Sequence, residues 1–349
     1  MPDSAQTERD VLSETLEIEA EIIDALHESG LASLGERPRL VPISGGVSSA
    51  VYRIDLASGP VCAKRALAQL KVAAVWKAPL ERSLSEVAWI QTVARLDEAI
   101  VPKILHVDAE RYLFIMSYLD PEQYCCWKSL LIENAVSADF AEAVGLALGR
   151  IHAHTARSTY FSNQFENSAL FDALRVDPYL VSTANVHQDL REVICGIASE
   201  LGQTRIAVVH GDISPKNILK GPAGPIFLDA ECATFGDPAF DLAFCLNHLL
   251  LKCVWHPLYA RSYIEAIDRL LDAYLRHLSW EERKAFDVRT ARLLGALLLA
   301  RVDGKSPVEY LTEDRQREFV RRAARNFLAD PELDLARLRR AWLERLVTQ

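Results

Sequence analysis

The spacing of apolar residues changes along this chain, and that change limits the folds open to it. Residues 11–34 read as helix: Leu12, Leu16, Ile23 and Leu26 recur at helical spacing, and Ile22 widens the same face. Only Glu19 stands at the expected place between Leu16 and Ile23, so the stripe is interrupted, and Gly30 and Gly35 punctuate its end. LVPISGG, VSSAVYRIDL and VCAKRAL follow as three β-like runs, separated by turn residues at Gly45-Gly46 and Ser58-Gly59-Pro60. A helix is predicted near 79–96 through Leu84, Val87, Ile90 and Ala94, and ILHVDA and YLFIMSYL read as two further strands. Residues 38–119 thus predict a small, mainly antiparallel sheet with one inserted helix. After LDPEQY the character is helical, most clearly over 140–156, where Phe140, Val144, Leu148 and Ile151 share a face. Two short strands, RIAVV and IFLD, interrupt it, and from Asp241 onward the chain reads as helices broken at WHP and KSP. The fold class is α+β.

Composition removes several alternatives. The 349 residues, half of them hydrophobic, are ample for a large core and suggest roughly two domains on a prior of about 150 residues each. A net charge of −9 leaves no strongly basic face, so nucleic acid is not an expected partner. The acidic balance is compatible with a cationic substrate, but it is also common in soluble enzymes. The seven cysteines include no CxxC pair and no zinc spacing, which fits reduced thiols; Cys232 and the vicinal Cys125-Cys126 read as packing. The first ten residues carry acids where a signal peptide needs basic residues, and LLGALLLA at 293–300 is too short to span a bilayer. A cytoplasmic protein with no membrane partner is expected. The mixed charges from Glu313 onward read as a solvated helical face.

The chemistry concentrates in VVHGDISPKNIL, residues 208–219. A carboxylate, a carboxamide, a histidine and a proline share one loop between two apolar segments. Phosphoryl transfer asks for such groups: a carboxylate to take the nucleophile's proton, oxygen ligands for magnesium, and a fixed cation on the nucleotide phosphates. Asp212 can be the base, and Asn217 can offer its amide oxygen to a metal. In LDAECATFGDPAFDLA, Asp229 leaves a buried strand where a second metal ligand would be wanted, and Glu231 lies two residues on, on the same side of an extended chain. Glu231 is either a further metal or acceptor ligand or a polar residue on an exposed strand end.

HGDISPKNIL followed by FLDAECATFGDPAFDLA closely resembles the aminoglycoside phosphotransferase-like kinases, a superfamily that includes choline, methylthioribose and fructosamine kinases. The motif blocks HGDxxxxN, I/LDxE and GDPxxDLA occur in order and at the expected spacing. The resemblance implies a bilobal protein-kinase-like fold: residues 1–37 an N-terminal helical extension, 38–118 an N-lobe of sheet and helix, and 119–349 a helical C-lobe with the catalytic loop and acceptor site. It implies ATP and Mg2+ as cofactors. The hairpin SGGVSSAVYRI, with Gly45, Gly46, Ser48 and Ser49, would cover the phosphates. Lys64 in VCAKRA would grip them, held by Glu86, with Glu81 the alternative. Met116, Ser117 and Tyr118 would form the hinge that receives adenine. Asp212 would be the catalytic base, and Asn217 and Asp229 the magnesium ligands. His210 would brace the loop, and Asp241 would cap and fix it from behind.

Where protein kinases carry Arg after the loop His and Lys two residues after the Asp, this chain has Gly211 and Ser214. That favours the small-molecule branch, as does the short interval between Asp229 and Asp241, which leaves no room for a long regulated segment. A non-catalytic nucleotide-binding protein on the same fold is a further alternative. LLLARVDGKSPVEYL, residues 297–311, places Arg301, Asp303, Lys305 and Ser306 in a polar break between helices. Either Arg301, Asp303 or Lys305 contacts the acceptor, or the segment is a helix end at Gly304 with Pro307 starting another helix. The expected reaction moves the γ-phosphoryl of Mg·ATP to a hydroxyl of a small-molecule acceptor: an amino sugar, an amino alcohol or a sugar derivative.

Overall fold

The computed structural model describes residues 4–43, 48–68 and 79–347. Strands β1 (Arg39–Pro42), β2 (Ser49–Leu56), β3 (Gly59–Ala66), β4 (Ile104–Asp108) and β5 (Leu113–Ser117) form one antiparallel sheet in the order β1-β2-β3-β5-β4. Residue parity assigns its faces. Ala50, Tyr52, Ile54 and Leu56 on β2, with Val61 and Ala63 on β3, bury one face, and helix α1 (Ser4–Glu28) covers it with Ile18, Ile22, Ala25 and Leu26. Each of the larger aliphatic side chains among them, such as Ile22 and Leu26, contributes about 1.5–3 kcal/mol by its burial. The buried stripe of α1 therefore runs through Ile18, Ile22, Ala25 and Leu26. Leu16, expected on that face, is exposed, because the helix that starts at Ser4 presents Ile18 and Ile22 to the strands instead. Ion pairs from Glu21 to Arg65 and from Glu28 to Arg111 fix α1 across the sheet.

The opposite parity on β3 puts Cys62 and Lys64 on the second face. There helix α2 (Arg82–Leu96) packs, burying Val87, Trp89, Ile90 and Val93 into the core of the helical half. Leu84, expected on the same face, is only half-buried. The helical half is organised around the helix Pro238–Trp255, which is apolar nearly all round and buried along its length. Helices Ala138–Thr155 and Ala260–Leu275 approach so closely that a Cβ at Gly145 would collide with the carbonyl oxygen of Leu270. The helices of the C-terminal stretch are not polar all round: Phe319, Val320, Ala323 and Phe327 of Asp314–Leu328 are buried against the rest.

Five short strands carry the loops of interest. β6 (Cys125–Cys126), β8 (Ile218–Gly221) and β9 (Gly224–Phe227) form one small sheet, and β7 (Ala207–Val209) pairs with β10 (Thr234–Gly236). Residues 210–217 therefore link β7 to β8, and Asp229 follows β9. Both loops are anchored by strands at each end.

Candidate active site

Lys64 and Glu86 come from the inner face of the sheet and the facing helix. Both are buried, and Lys64 Nζ lies 2.9 Å from Glu86 Oε1 and 2.7 Å from Oε2. Nζ also bonds Asp229 Oδ1 across the gap between the two halves. Burial alone would lower the proton affinity of Lys64, but Asp229 and Glu86 more than reverse this, and the ammonium is held above its ordinary value. One ammonium cannot neutralise two carboxylates. Glu86, raised mainly by burial, is pushed up to about 7, whereas Asp229 is lowered, the nearby Lys64 outweighing burial. Asp229 itself takes φ +63°, a left-handed conformation unusual for a residue with a Cβ and typical of strained sites. That kink ends the extended run, so Glu231 does not share a side with Asp229. It pairs instead with the buried Arg82, at 3.1 Å from Nε, which also donates to the carbonyls of Pro79 and Leu67.

The loop after β7 is held by groups behind it. Asp241 accepts from the backbone N–H of His210 (2.6 Å) and of Gly211 (2.8 Å), and His152 lies 3.3 Å from the same carboxylate. The capping of helix Pro238–Trp255 falls to Asp237, whose side chain accepts from Ala239 N–H; Asp241 braces the loop without capping the helix. His210 accepts the N–H of Asp212 at Nδ1 (3.1 Å) and donates from Nε2 to the carbonyl of Leu228 (2.9 Å), which requires a neutral imidazole protonated at Nε2. Burial lowers its pKa and keeps it so. Gly211 has φ +79°, and a Cβ there would meet Cys232 at 2.8 Å, so the turn has no room for another residue. Asn217 donates through Nδ2 to the carbonyl of Asp212 (3.1 Å), which leaves Oδ1 as its acceptor atom.

Two cavities meet at this loop. One, of about 260 Å³, lies between sheet and helices; Lys64, Glu86, Met116, Ser117, Tyr118, Asn217 and Asp229 all line it. The other, of about 210 Å³, has Asp212 in its wall together with Ser214, Tyr179, Phe244, Arg301 and Tyr310. Lys216 lines both. Gly45 and Gly46 lie outside the described residues. Ser48 and Ser49 are not in the lining: the Ser48 carbonyl accepts from Leu67 N–H (3.0 Å), and Ser49 is buried at the start of β2. Glu81 does not compete for Lys64; its carboxylate lies 3.5 Å from the hydroxyl of Tyr112. Of the polar break after residue 300, only Arg301 and Ser306 among the four singled-out residues reach the second cavity. Asp303 is engaged by Arg321 (2.7 Å) and His187 (2.9 Å), and the Lys305 backbone N–H donates to Pro178. Gly304 does follow the last helical residue, with its N–H on the Ala300 carbonyl, but the next helix begins at Asp314 and not at Pro307.

Sequence reasoning misses three cations here. Arg175, on the wide π-helical turn Asp172–Val181, places Nη2 3.1 Å from Asp212 Oδ2, and Lys216 places Nζ 3.2 Å from the same oxygen. Burial raises the pKa of Asp212, but Lys216 and Arg175 outweigh it and hold the carboxyl well below the usual range. The third is Lys252, one turn beyond His248 on the central helix and in the wall of the second cavity. A lysine inside LLLKCVW is a readable signal. Arg175 has none nearby in the chain.

A buried lysine–glutamate pair, a strand-end aspartate and a braced carboxylate-and-amide loop thus border two adjoining cavities. Residues 39–286 match the model of the Phosphotransferase enzyme family (APH), and the chain belongs to that family. Methylthioribose kinase from Yersinia pseudotuberculosis (serotype O:3, strain YPIII) is 26% identical over 239 residues, 60% of this chain and 58% of that protein. The chain therefore spans less than two thirds of the curated relatives it matches. A choline/ethanolamine kinase family protein from Mesorhizobium loti superposes with a TM-score of 0.53 at 16% identity, covering 94% of this chain and 99% of that one. Plasmodium vivax ethanolamine kinase gives 0.51 at 12%, over 99% and 94%. At these identities the likeness is one of fold.

Proposed function

We propose that the protein transfers the γ-phosphoryl group of Mg·ATP to a hydroxyl of a small molecule, with Asp212 as general base. The observation that carries this is the junction of the cavities: Lys64, Asn217 and Asp229 line one, Asp212 the other, and Lys216 belongs to both. In this reading the hinge residues Met116, Ser117 and Tyr118 receive the base of the nucleotide, and Lys64, fixed by Glu86, meets its phosphates. The carboxylate of Asp229 and the amide oxygen of Asn217 are hard oxygen donors of the kind magnesium takes, and the surplus carboxylate charge around Lys64 suits a divalent cation. Magnesium, when bound, neutralises charge on the phosphates. As the acceptor oxygen bonds to Pγ, its proton passes to Asp212. The bond from Pγ to the β-phosphate oxygen breaks, and its electron pair leaves with ADP. Arg175 and Lys216 hold the carboxylate in place, and Lys216 also lies where it can stabilise charge on the group in transit.

The test is ADP release from Mg·ATP over aminoglycosides, choline, ethanolamine, ribose derivatives, hydroxyamino acids and glycated lysine, beside Asp212→Asn. Release with one class should fall by roughly 10²–10⁴ in the variant. The rise in Tm with Mg·ATP should appear in both proteins. Equal release by Asp212→Asn removes the base assignment, and no Tm rise in the wild type removes the nucleotide assignment.

A further inference from the structure

The cavity beside Asp212 holds more positive charge than its own residues neutralise. Lys128, Lys216, Lys252 and Arg301 all line it. Two of these are already paired, Lys128 with Glu309 at 2.6 Å and Lys216 with Asp212 at 3.2 Å. The other two have no carboxylate partner among the described residues. Lys252 is 1% exposed, and its Nζ has no hydrogen-bond acceptor. It faces instead the rings of Tyr310, at 4.4 Å, and Trp255, at 5.0 Å. Arg301 comes from the helix Arg283–Asp303 and is 8% exposed. Its Nη1 donates to the carbonyl and hydroxyl of Ser306, while its Nε and the neighbouring Tyr310 hydroxyl have no partner. His248, also on the cavity wall, is kept neutral by burial and by Arg301.

An ammonium taken this far out of water is costly unless an opposite charge meets it. Lys252 Nζ, Arg301 Nε and the Tyr310 hydroxyl border one space that supplies no acceptor for these three atoms. We infer that the phosphoryl acceptor is a small hydroxylated anion, its negative group seated between Lys252 and Arg301 and its hydroxyl directed to Asp212. This rests on the kinase reading above and narrows its acceptor class. A cavity of about 210 Å³ suits a molecule of a few carbons. The negative group is a carboxylate or a phosphate monoester, which share the chemistry that a guanidinium and an ammonium recognise. Amino alcohols and amino sugars without an acid would bring like charge to the same wall. The chain's overall acidity points the other way, and the local field decides. The transfer keeps its balance: the hydroxyl oxygen bonds Pγ, the proton goes to Asp212, and ADP departs with the electron pair.

Two experiments decide it. In the first, protein saturated with Mg·ADP, so that the nucleotide cleft is filled, is titrated calorimetrically with acetate and with inorganic phosphate. Wild type is compared with Lys252→Met, which removes a buried charge at similar length, and with Arg301→Gln, which can still bond Ser306. Saturable binding in the wild type should weaken roughly 30-fold or more in each variant. Acetate alone marks a carboxylate acceptor, phosphate alone a phosphate ester. No binding of either anion, or binding that survives both substitutions, overturns the inference. In the second, ADP release is compared within matched pairs: serine against ethanolamine, carnitine against choline, and glycerate and glycerol 3-phosphate against glycerol. A higher kcat/KM for the member that carries the acid group supports the inference; preference for the member without one overturns it. Failure on either count leaves the kinase reading standing, because the Mg·ATP shift and Asp212→Asn do not involve Lys252 or Arg301.

Discussion

Lys64 and Lys252 are buried to nearly the same depth, at 4% and 1% exposure, in opposite surroundings. Lys64 lies against Glu86 and Asp229, so its charge is present before any ligand arrives. Lys252 lies against two aromatic rings. Burial first, and Lys128 second, push it down to about 8, while the carboxylates around Lys64 drive that residue upward. The residue type is the same, and the supply of partners sets the role. A paired lysine is a fixed part of the scaffold. One that faces only aromatic rings gains most when something negative enters.

The contrast can be broken by one substitution made twice. Lys64→Met leaves Glu86 and Asp229 facing each other without a cation; stability should drop by roughly 3–5 kcal/mol in denaturant titration, and the Mg·ATP shift should vanish. Lys252→Met should have the opposite sign. It deletes an unsatisfied buried charge, so Tm should rise, for a gain on the order of 1–3 kcal/mol. A fall in Tm at Lys252→Met would end the comparison. Asp241→Asn keeps one acceptor for the two loop N–H groups and should cost about 1–2 kcal/mol, with kcat falling more than the acceptor KM rises. The last effect concerns pH. Glu86 is raised from 4.5 to about 7 in the folded protein, so between those values the folded state binds the proton more tightly than the unfolded chain. Its contribution to stability is therefore greatest at low pH and declines as pH rises through that window. Tm measured from pH 5 to 7.5 should show a shallower decline in Glu86→Gln than in the wild type.

Much of the proposed nucleotide side is legible because each of its residues sits at a fixed offset from an apolar run. Lys64 falls on the inner face by strand parity, and Asp229 follows a buried strand. The structure brings Lys64, Glu86, Asn217 and Asp229 to one cleft. The proposed acceptor side is less legible because it is made by side chains that meet across long intervals of chain. Arg175 reaches Asp212 from a π-helical turn that no local pattern announces. Asp303 stands out in sequence as a charge in a polar break, yet its charge is spent on Arg321 and His187. Lys252, the lysine that an apolar run should not tolerate, is the more informative residue. The phase of α1 shows a related limit: with Leu16 and Ile18 both available, only contact with the sheet decides which one is buried.

The imidazole of His210 touches two loops at once, the N–H of Asp212 on one side and the carbonyl of Leu228, next to Asp229, on the other. A flat five-membered ring does not stretch. The ring therefore works as a gauge block, setting the interval between the proposed base and the proposed metal ligand by its own width. Errors in the path of chain between them therefore do not accumulate into the site.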